Sequence, residues 1–480
     1  MAKSITKNSI FNLIYNILNV LFPFVISIYI SHILFPGDIG EIEAAKNISQ
    51  YFIILAFLGI PTYGLREVAK ARNEKENLDK IYSELMVINT ISTAIFLTAY
   101  FGVIFAVPAY REHILLYLIF GGSVAFNFLN NFWLYEGLEE YSYICFRNLF
   151  VKIISFVSLL LFVRSSGDYY IYAIITVVGN GLNYVFNIVH ARKFVKFSLK
   201  DLNLKRHMKS IVFLVVVNLA IEIYTLMDIT MLKLLSTSEN VAFYSYGSKI
   251  YKILLQAIYS FTVVVLPRIA YLYKMNDRDG FNRLISKTLN IIYIIAIPII
   301  IGTMFVGDYI ITALFGAEYI SSSAILKILS IILLIAPTGY LLGSRILLVT
   351  GNEKKMIFPV LAGVVVNVIL NYFLIKQFDH YGAALATVAG ELAVMVMYII
   401  LAKKYFKFVS FMSSLIKTII SAGVMTLVLF LLCKGDFVGN LTLTIKEIFV
   451  GASIYFLALA ILQEKNTKII IQKIQHLLFG

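Results

Sequence analysis

The sequence predicts an all-α integral membrane protein of about fourteen transmembrane helices, arranged as two pseudo-symmetric six-helix lobes plus two C-terminal helices. Three observations support this prediction: an apolar composition, a series of apolar stretches of membrane-spanning length, and an uneven distribution of Lys and Arg between alternate loops. Of the 480 residues, 60% are hydrophobic and 14% are charged, and the mean hydropathy is +0.85. Soluble domains contain ~45–50% apolar and ~25% charged residues, so this composition indicates a chain whose main solvent is lipid.

The apolar stretches give the predicted helices in order. A helix needs about 20 apolar residues to cross a bilayer, because every backbone N–H and C=O must be bonded within the segment. Such stretches occur at about 9–31, 42–63, 82–107, 114–135, 143–163, 169–190, 210–235, 241–267, 285–307, 322–348, 356–376, 381–401, 412–432 and 444–462. We expect the first of them to be a transmembrane helix and not a cleaved signal peptide, because it is long, contains several Asn residues and has no small-residue cleavage site after it.

The Lys and Arg residues predict the orientation of these helices. The two termini and every second loop contain 28 of the 41 cations, whereas the intervening loops contain four: Arg111, Arg164, Lys376 and Lys434. Cytoplasmic loops carry such an excess, so both termini are expected in the cytoplasm. The positive-inside pattern also accounts for the formal net charge of +14, and we predict no nucleic-acid partner.

The two halves of the chain share a plan at a shift of about 200 residues, which predicts an internal repeat. Gly64-Leu65-Arg66 lies in the same place as Leu266-Pro267-Arg268, and the inner turn at Gly137 corresponds to one at Gly351. Six helices per repeat predict two units related by an axis along the membrane normal. Two packed lobes around a central cleft are what alternating access requires. The expected boundaries are 1–190 for the first lobe, 191–209 for a cytoplasmic connector, 210–402 for the second lobe, and 403–480 for helices thirteen and fourteen with a cytoplasmic tail.

The connector mixes apolar residues such as Phe194, Phe197 and Leu199 with cations. This composition predicts an amphipathic helix lying on the inner membrane surface.

Cations inside the predicted spans indicate a candidate binding site, because a charge facing lipid at the centre of a span costs at least ~2.5–3.5 kcal/mol. Lys46 lies in the unusually polar second helix, Lys249 and Lys252 share one face of the eighth helix, and Arg345 lies in the tenth. Lys46 and Lys249 occupy near-equivalent places in the two repeats. We expect Lys46, Lys249, Lys252 and Arg345 to line a central cavity and to bind an anionic substrate.

Three acidic residues inside the spans are candidates for coupling transport to a proton or sodium gradient: Glu222, Asp228 and Glu391. Structural alternatives exist for most of these assignments. Lys46 and Lys249 would instead be partners of Glu43, Glu222 or Asp228 in closed ion pairs, Arg345 would extend to the membrane surface, and Glu391 would face close helix packing. Lys152 is expected to extend to the membrane surface, and we assign no role to Lys233 and Lys327.

The sequence does not indicate an enzyme. It has no GxSxG, HExxH, P-loop or GxGxxG motif, and its six His residues lie at predicted helix ends or in loops. Cys145 and Cys433 lack a CxxC motif or a His at metal-binding spacing. We therefore expect no catalytic residue, no cofactor and no metal site, and the short outer loops argue against a polytopic polymerase or ligase.

The chain resembles the polysaccharide (Wzx-type) flippases of the multidrug/oligosaccharidyl-lipid/polysaccharide exporter superfamily. The resemblance lies in Lys7-Asn8-Ser9 before the first helix, the outer turn Asp38-Ile39-Gly40, the inner turn Gly64-Leu65-Arg66 and the turns at Gly137 and Gly351. The doubled six-helix plan extends it over nearly the whole chain.

The resemblance implies a flippase that moves a polyprenyl-diphosphate-linked oligosaccharide across the bacterial plasma membrane for surface polysaccharide biosynthesis. Cations in a wet cleft fit this cargo, because they balance the diphosphate charge. The alternatives are an ion-coupled drug or metabolite exporter of the same superfamily and a lipid II flippase. The expected partners are the lipid-linked substrate, membrane lipid and a coupling ion, and we expect a monomer.

Overall fold

A computed structural model describes residues 5–407, 411–432 and 441–464 of the chain. These residues form seventeen α-helices joined by short turns, and they contain no β-strand. The α-helices are α1 Ile5–Ser31, α2 Pro36–Phe57, α3 Ile60–Ala71, α4 Lys75–Ala106, α5 Ile114–Phe126, α6 Phe132–Gly137, α7 Tyr141–Phe162, α8 Tyr169–Ala191, α9 Lys205–Leu235, α10 Ser238–Lys274, α11 Arg278–Phe315, α12 Ser321–Ser330, α13 Ile332–Gly339, α14 Ile346–Val349, α15 Ile357–Ala402, α16 Phe411–Leu432 and α17 Leu441–Ile461.

The predicted all-α membrane fold with about fourteen spans is confirmed. Within the described ranges, eleven helices or helix runs are long and apolar enough to cross a membrane. One of them, Glu353–Ala402, breaks at Asp379 (φ 48°, ψ −129°) and so contains the predicted eleventh and twelfth spans. α9 and α17 coincide with the remaining two predictions, at 210–235 and 444–462.

The predicted second span is two helices instead of one. α2 ends at Phe57, and the next two residues, Leu58 (φ 54°) and Gly59 (φ 83°), both have left-handed backbone conformations. Pro61 follows in the first turn of α3, where its missing N–H removes no helical hydrogen bond. α2 also begins earlier than predicted, at Pro36, so the outer turn Asp38-Ile39-Gly40 is part of the helix.

The predicted fourth span is also broken, between α5 and α6. A helix break inside a membrane frees backbone groups that need other partners. The side chain of Asn89 on α4 supplies one of them, because its Nδ2 donates to the carbonyl oxygen of Asn127 at 2.8 Å. The Asn127 side chain returns a bond to Asn89 Oδ1 at 3.2 Å, so the two Asn residues attach the break to α4.

The prediction of a surface helix in the connector is wrong. Residues 195–199 belong to no helix, and the first helix after α8 is α9. The backbone N–H groups of Lys196, Ser198 and Asn203 instead donate to side chains of α4, namely Asp79 Oδ1 at 2.9 Å, Ser83 Oγ at 3.0 Å and Glu84 Oε1 at 2.7 Å. Because α4 satisfies these N–H groups, the segment is held extended along that helix.

The chain divides by internal packing into two compact units, Met1–Ala242 (unit 1) and Phe243–Gly480 (unit 2). α9 belongs to unit 1, where it packs against α2 and α3. The repeat placed this helix at the start of the second lobe. The units are defined by internal contacts, whereas the boundaries at 190 and 210 were defined by the sequence repeat. The two divisions need not coincide, so the repeat boundaries stay a prediction.

Each unit has its own buried core. In unit 1, the fully buried Trp133 belongs to a cluster that includes Leu85, Tyr135 and Ile144. In unit 2, α10, α11, α13 and α15 contribute to a cluster that includes Leu289 and Leu342. α16 and α17 join unit 2 through α11, where the Tyr455 hydroxyl donates to the Ile294 carbonyl at 2.9 Å.

Candidate transport site

The first half of α2 is as polar as the sequence indicated, and several of its polar side chains are enclosed by protein. Glu41, Asn47 and Ser49 are buried. Asn47 Nδ2 donates to Thr230 Oγ1 at 2.8 Å and to the Leu226 carbonyl at 3.1 Å. These bonds attach the polar face of α2 to α9.

A buried ion pair lies near the start of α2, on this face. Lys233 of α9 pairs with Glu41, which also accepts a bond from the Ser238 hydroxyl. The backbones approach closely here, because a Cβ added to Gly40 would lie 1.6 Å from the Ser238 carbonyl oxygen. Only glycine fits at this contact, which gives the Asp38-Ile39-Gly40 turn a structural reason.

Lys46 lies one turn further along α2 and is not enclosed. Its side chain is 55% exposed, and its Nζ is 3.8 Å from Glu43 Oε2. An exposed i, i+3 pair at this distance contributes at most a few tenths of a kcal/mol. The Lys46–Glu43 ion pair expected as the structural alternative is therefore present, but it is too weak to prevent the Lys46 ammonium group from binding another anion.

The two acidic candidates of α9 differ in their surroundings. Asp228 is buried, close enough to Tyr51 of α2 to interact with it electrostatically. Glu222 is half-buried, one turn before Thr225, whose hydroxyl lies 3.4 Å from Glu222 Oε2. The two carboxylates are six residues apart, so about 9 Å of helix axis separates them.

The candidate cations of α10 lie in unit 2 and share one face of the helix. Lys249 is half-buried, with its Nζ 3.9 Å from the centroid of the Tyr246 ring. Lys252 is exposed, as are Gln256 and Ser260 further along the helix. The polar stripe predicted from the sequence is therefore a continuous half-exposed to exposed face of α10.

Arg345 lies on a π-helical turn, Tyr340–Arg345, inside the predicted tenth span. π-helical turns are rare and often occur at functional sites. The guanidinium carbon of Arg345 is 4.3 Å from the centroid of the Tyr340 ring, and its buried Nε has no hydrogen-bond partner among the described residues. The Arg345 side chain thus contacts an aromatic ring, and its Nε–H is still available to donate a hydrogen bond.

An aromatic contact relates Arg345 to α10. Tyr340 is 5.0 Å, between ring centroids, from Tyr259. Tyr259 is seven residues after Lys252 and so lies on the same side of α10. Glu391 of α15 is half-buried and close enough to Tyr259 to interact with it electrostatically. Unit 2 therefore brings Arg345, the α10 stripe and Glu391 into one neighbourhood.

Two lysines that were given no role have structural ones. Lys233 forms the ion pair with Glu41, and Lys327 donates to both carboxylate oxygens of Asp308 at 2.7 Å. Lys152, expected to extend to the membrane surface, instead donates to the Leu18 carbonyl of α1 at 2.8 Å. These partners lie far away in sequence, so no local pattern could have indicated them.

The described residues contain no group of three or more His, Cys, Asp and Glu side chains that could hold a metal ion.

Comparisons with known proteins relate the chain to one family. Residues 5–273, more than half of the chain, match the family described as Polysaccharide biosynthesis protein. A protein of Escherichia coli (strain K12) described as an O-antigen transporter is 21% identical over 394 residues, which cover 81% of this chain and 94% of that protein.

Two solved structures share the fold. The lipid II flippase MurJ has a TM-score of 0.67 and 20% sequence identity, covering 91% of this chain and 98% of that one. A multidrug resistance MATE family transporter of the MOP superfamily has a TM-score of 0.64 and 14% identity, covering 80% of this chain and 94% of that one. At these identities the likeness concerns the fold.

Proposed function

Because the chain belongs to the family of polysaccharide biosynthesis proteins, we propose that it is a flippase for polyprenyl-diphosphate-linked oligosaccharide repeat units. In this proposal it moves them by alternating access from the cytoplasmic to the outer leaflet of a bacterial plasma membrane, with both termini in the cytoplasm. The family description and the E. coli relative, described as an O-antigen transporter, support a glycan cargo.

The observation that supports this proposal most directly is the set of partners of Arg345. A guanidinium inside a predicted span needs compensation, yet the described partner of Arg345 is the Tyr340 ring, and its Nε has none. Planar guanidinium groups bind phosphate oxygens through paired hydrogen bonds. We therefore assign the diphosphate to Arg345 together with Lys46, Lys249 and Lys252, and the sugar to the hydroxyl, amide and aromatic groups around them.

Vesicles containing the purified full-length protein and a fluorescent lipid-linked oligosaccharide test the cation assignment. Lys46→Ala and Lys249→Ala should each lower the flipping rate, and the double variant should lower it at least about tenfold, as expected for lost hydrogen bonds to a charged group. Arg at either position should restore more activity than Gln, because charge is the property used.

Lys376→Ala is the matched control for Lys249→Ala, because Lys376 Nζ also lies 3.9 Å from a tyrosine ring, that of Tyr372, outside the assigned site. The amount of folded protein extracted in detergent separates a transport defect from a folding defect. Full flipping by the Lys46→Ala/Lys249→Ala protein would refute the cation assignment.

The driving force is a second part of the proposal. Glu222, Asp228 and Glu391 lie within predicted spans, which fits coupling to a proton or sodium gradient. In the same vesicles, an imposed gradient should change the flipping rate of the wild-type protein but not that of a variant with Gln or Asn at these three positions. Equal responses would favour passive exchange.

The same vesicles also discriminate the alternatives that the fold allows. A drug exporter would move a cationic dye, and a lipid II flippase would prefer lipid II to the oligosaccharide substrate. The cationic residues assigned to the site favour an anionic cargo over a cationic drug.

A further inference from the structure

Helix α8 carries a row of uncharged polar side chains that have no role in the transport site described so far. Tyr172, Thr176, Asn180 and Asn183 lie within an arc of about 80° around the helix axis, since successive residues are about 100° apart. They extend over about 16 Å along that axis. These residues are called the α8 polar stripe below.

The α8 polar stripe faces away from lipid. On one flank of α8, a Cβ added to Gly179 would lie 2.5 Å from Ser155 Oγ of α7. On the other flank, a Cβ added to Gly181 would lie 2.7 Å from the Phe126 side chain of α5. Exposed apolar side chains, which contact lipid in a membrane-spanning protein, lie on the side of α8 opposite the stripe: Ile174, Val178, Val185 and Val189. The stripe therefore points into unit 1.

One end of the stripe adjoins the proposed transport site. Tyr172 is close enough to Lys46 of α2 to interact with it electrostatically. Beyond the other end α8 is closed off, because the buried Asn187 accepts a hydrogen bond from Arg147 Nη1 of α7. Between these two ends Asn180 is exposed, so the space in front of the stripe is open.

The side chains of the stripe do not join α8 to its neighbours. Polar residues of membrane helices commonly form hydrogen bonds between helices. Here the Thr176 hydroxyl donates to the Tyr172 carbonyl at 2.9 Å, and Asn183 Nδ2 donates to the Gly179 carbonyl at 3.3 Å, both within α8. Among the described residues, Asn183 Oδ1 is buried without a hydrogen-bond partner, and Asn180 forms no side-chain hydrogen bond. These groups are therefore available to a ligand.

The chemistry of the stripe suits a sugar. An amide both donates and accepts hydrogen bonds, as the hydroxyl groups of a sugar do. A tyrosine ring offers a flat apolar face with a hydroxyl at its edge, against which a sugar ring packs. The stripe has no charge with which to balance a diphosphate, whereas Lys46 beside Tyr172 has one.

We propose that the α8 polar stripe binds the sugar rings of the cargo while Lys46 binds its diphosphate. This inference rests on the proposed function and deepens it, because it assigns the glycan to particular side chains of unit 1. The length of the stripe gives room for several sugar rings. Recognition of the glycan is then separate from recognition of the phosphate.

Binding of two lipids to the purified full-length protein tests this separation. Native mass spectrometry in detergent compares lipid-linked oligosaccharide extracted from the native host with bare undecaprenyl diphosphate, and the wild type should bind the glycosylated lipid more tightly. Asn180→Leu should weaken binding of the glycosylated lipid about three- to tenfold, as expected for one lost neutral hydrogen bond, and leave binding of the bare lipid unchanged. Lys46→Ala should weaken binding of both lipids.

Thr176→Val and Thr98→Val are a matched pair of variants. Both hydroxyls donate to the carbonyl four residues earlier in their own helix at 2.9 Å, but Thr98 is exposed on α4, outside the stripe. Thr176→Val should reduce the preference for the glycosylated lipid, and Thr98→Val should keep it.

The melting temperature of the lipid-free protein separates ligand binding from a structural role. Asn183→Leu removes a buried acceptor that has no partner among the described residues. This variant should therefore melt at or above the wild-type temperature and still lose the preference for the glycosylated lipid. A lower melting temperature with the preference intact would count against the stripe. Asn180→Leu changes an exposed residue and keeps the test available if Asn183→Leu does not fold.

No preference for the glycosylated lipid in the wild type, or an unchanged preference in the stripe variants, would overturn the proposal. The flipping assay keeps the two proposals apart. If the wild-type protein flips the oligosaccharide and the stripe variants keep the full preference, then only the stripe is refuted. If the preference depends on the stripe and the wild type does not flip the oligosaccharide, then only the proposed function is refuted.

Discussion

Lys233 and Glu41 form an ion pair whose side chains are only 10% and 7% exposed. Removing one partner of a buried pair leaves the other charge unbalanced and typically costs about 3–5 kcal/mol, whereas removing both is often neutral. Lys233→Met should therefore lower the free energy of unfolding strongly, and adding Glu41→Gln should recover most of the loss.

Melting temperatures of the purified proteins would measure this cycle. Lys327→Met is the control, because Lys327 and Asp308 are 24% and 32% exposed and their pair is better solvated. It should cost clearly less than Lys233→Met. If Lys233→Met matched the wild type, the pair would have no structural role.

At the scale of single elements, the connector between α8 and α9 is held by a buried polar cluster. His207 Nε2 lies 2.8 Å from Glu84 Oε2, and its Nδ1 lies 2.7 Å from the Tyr63 hydroxyl. Arg206 pairs with the same carboxylate. Three elements, α3, α4 and the start of α9, are thus joined at one side chain, His207.

This cluster should make the stability of the protein depend on pH. Burial lowers the pKa of His207, which precedes the predicted span at 210–235, below its ordinary value of 6.5, and the bond to Glu84 only partly opposes this effect. The folded state then resists protonation more than the unfolded state does, so stability is complete above about pH 6.5 and falls as the pH drops below that value.

Melting temperatures between pH 7.5 and 5.5 would show this dependence. The wild type should lose more stability on acidification than His207→Gln does. His32→Gln should behave like the wild type, because His32 is exposed. Parallel profiles for the wild type and His207→Gln would contradict this prediction.

Regular elements were predictable from the sequence because their cause is local. Apolar length and alternate-loop charge depend on residues within one segment, and all fourteen predicted spans coincide with helices. The breaks were not predictable in the same way. The gap between α5 and α6 depends on Asn89, which lies in another helix, and the extended connector depends on Asp79 and Glu84.

The glycine turns that carried the family resemblance also have a nonlocal cause. A Cβ at Gly64 would lie 2.7 Å from the Trp133 side chain, and one at Gly137 would lie 2.6 Å from Val68. The two glycines thus let α3 and α6 pack closely against each other. The sequence showed that these positions were special, but only the packing of the two helices shows why.

At the scale of the whole molecule, the sequence predicts which cations lie inside spans but not which side chains they contact. The sequence separated cations inside spans from those in loops, because hydropathy alone defines that difference. It assigned a role to Lys46, which is exposed, and none to Lys233, but it did not show that Lys233 is closed in an ion pair with Glu41. That distinction depends on which helices are neighbours, and one sequence does not contain this information.

The position of α9 has a consequence for how the polypeptide can be assembled. This helix follows the connector in the chain, yet its contacts are with unit 1: Arg206 with Glu84 near its start, Thr230 with Asn47 and Lys233 with Glu41 near its end. α9 therefore packs with the part of the chain that precedes the connector, although it follows the connector in sequence. A protein expressed as two separate fragments, cut after Lys200, would leave α9 on one fragment and its binding surface on the other.

The two fragments should find each other without a covalent link, so a tag on residues 1–200 should recover residues 201–480 from membranes. The Lys233→Met and Arg206→Gln substitutions together should reduce that recovery, because they remove the ion pairs with Glu41 and Glu84 at the two ends of α9. Lys417→Met is the control and should not reduce it, because Lys417 lies on α16 and donates to the Gln463 carbonyl. If the two substitutions left the recovery unchanged, other surfaces would join the fragments. If the substitutions do reduce recovery, the contacts of α9 hold unit 1 together without the peptide bond after Lys200.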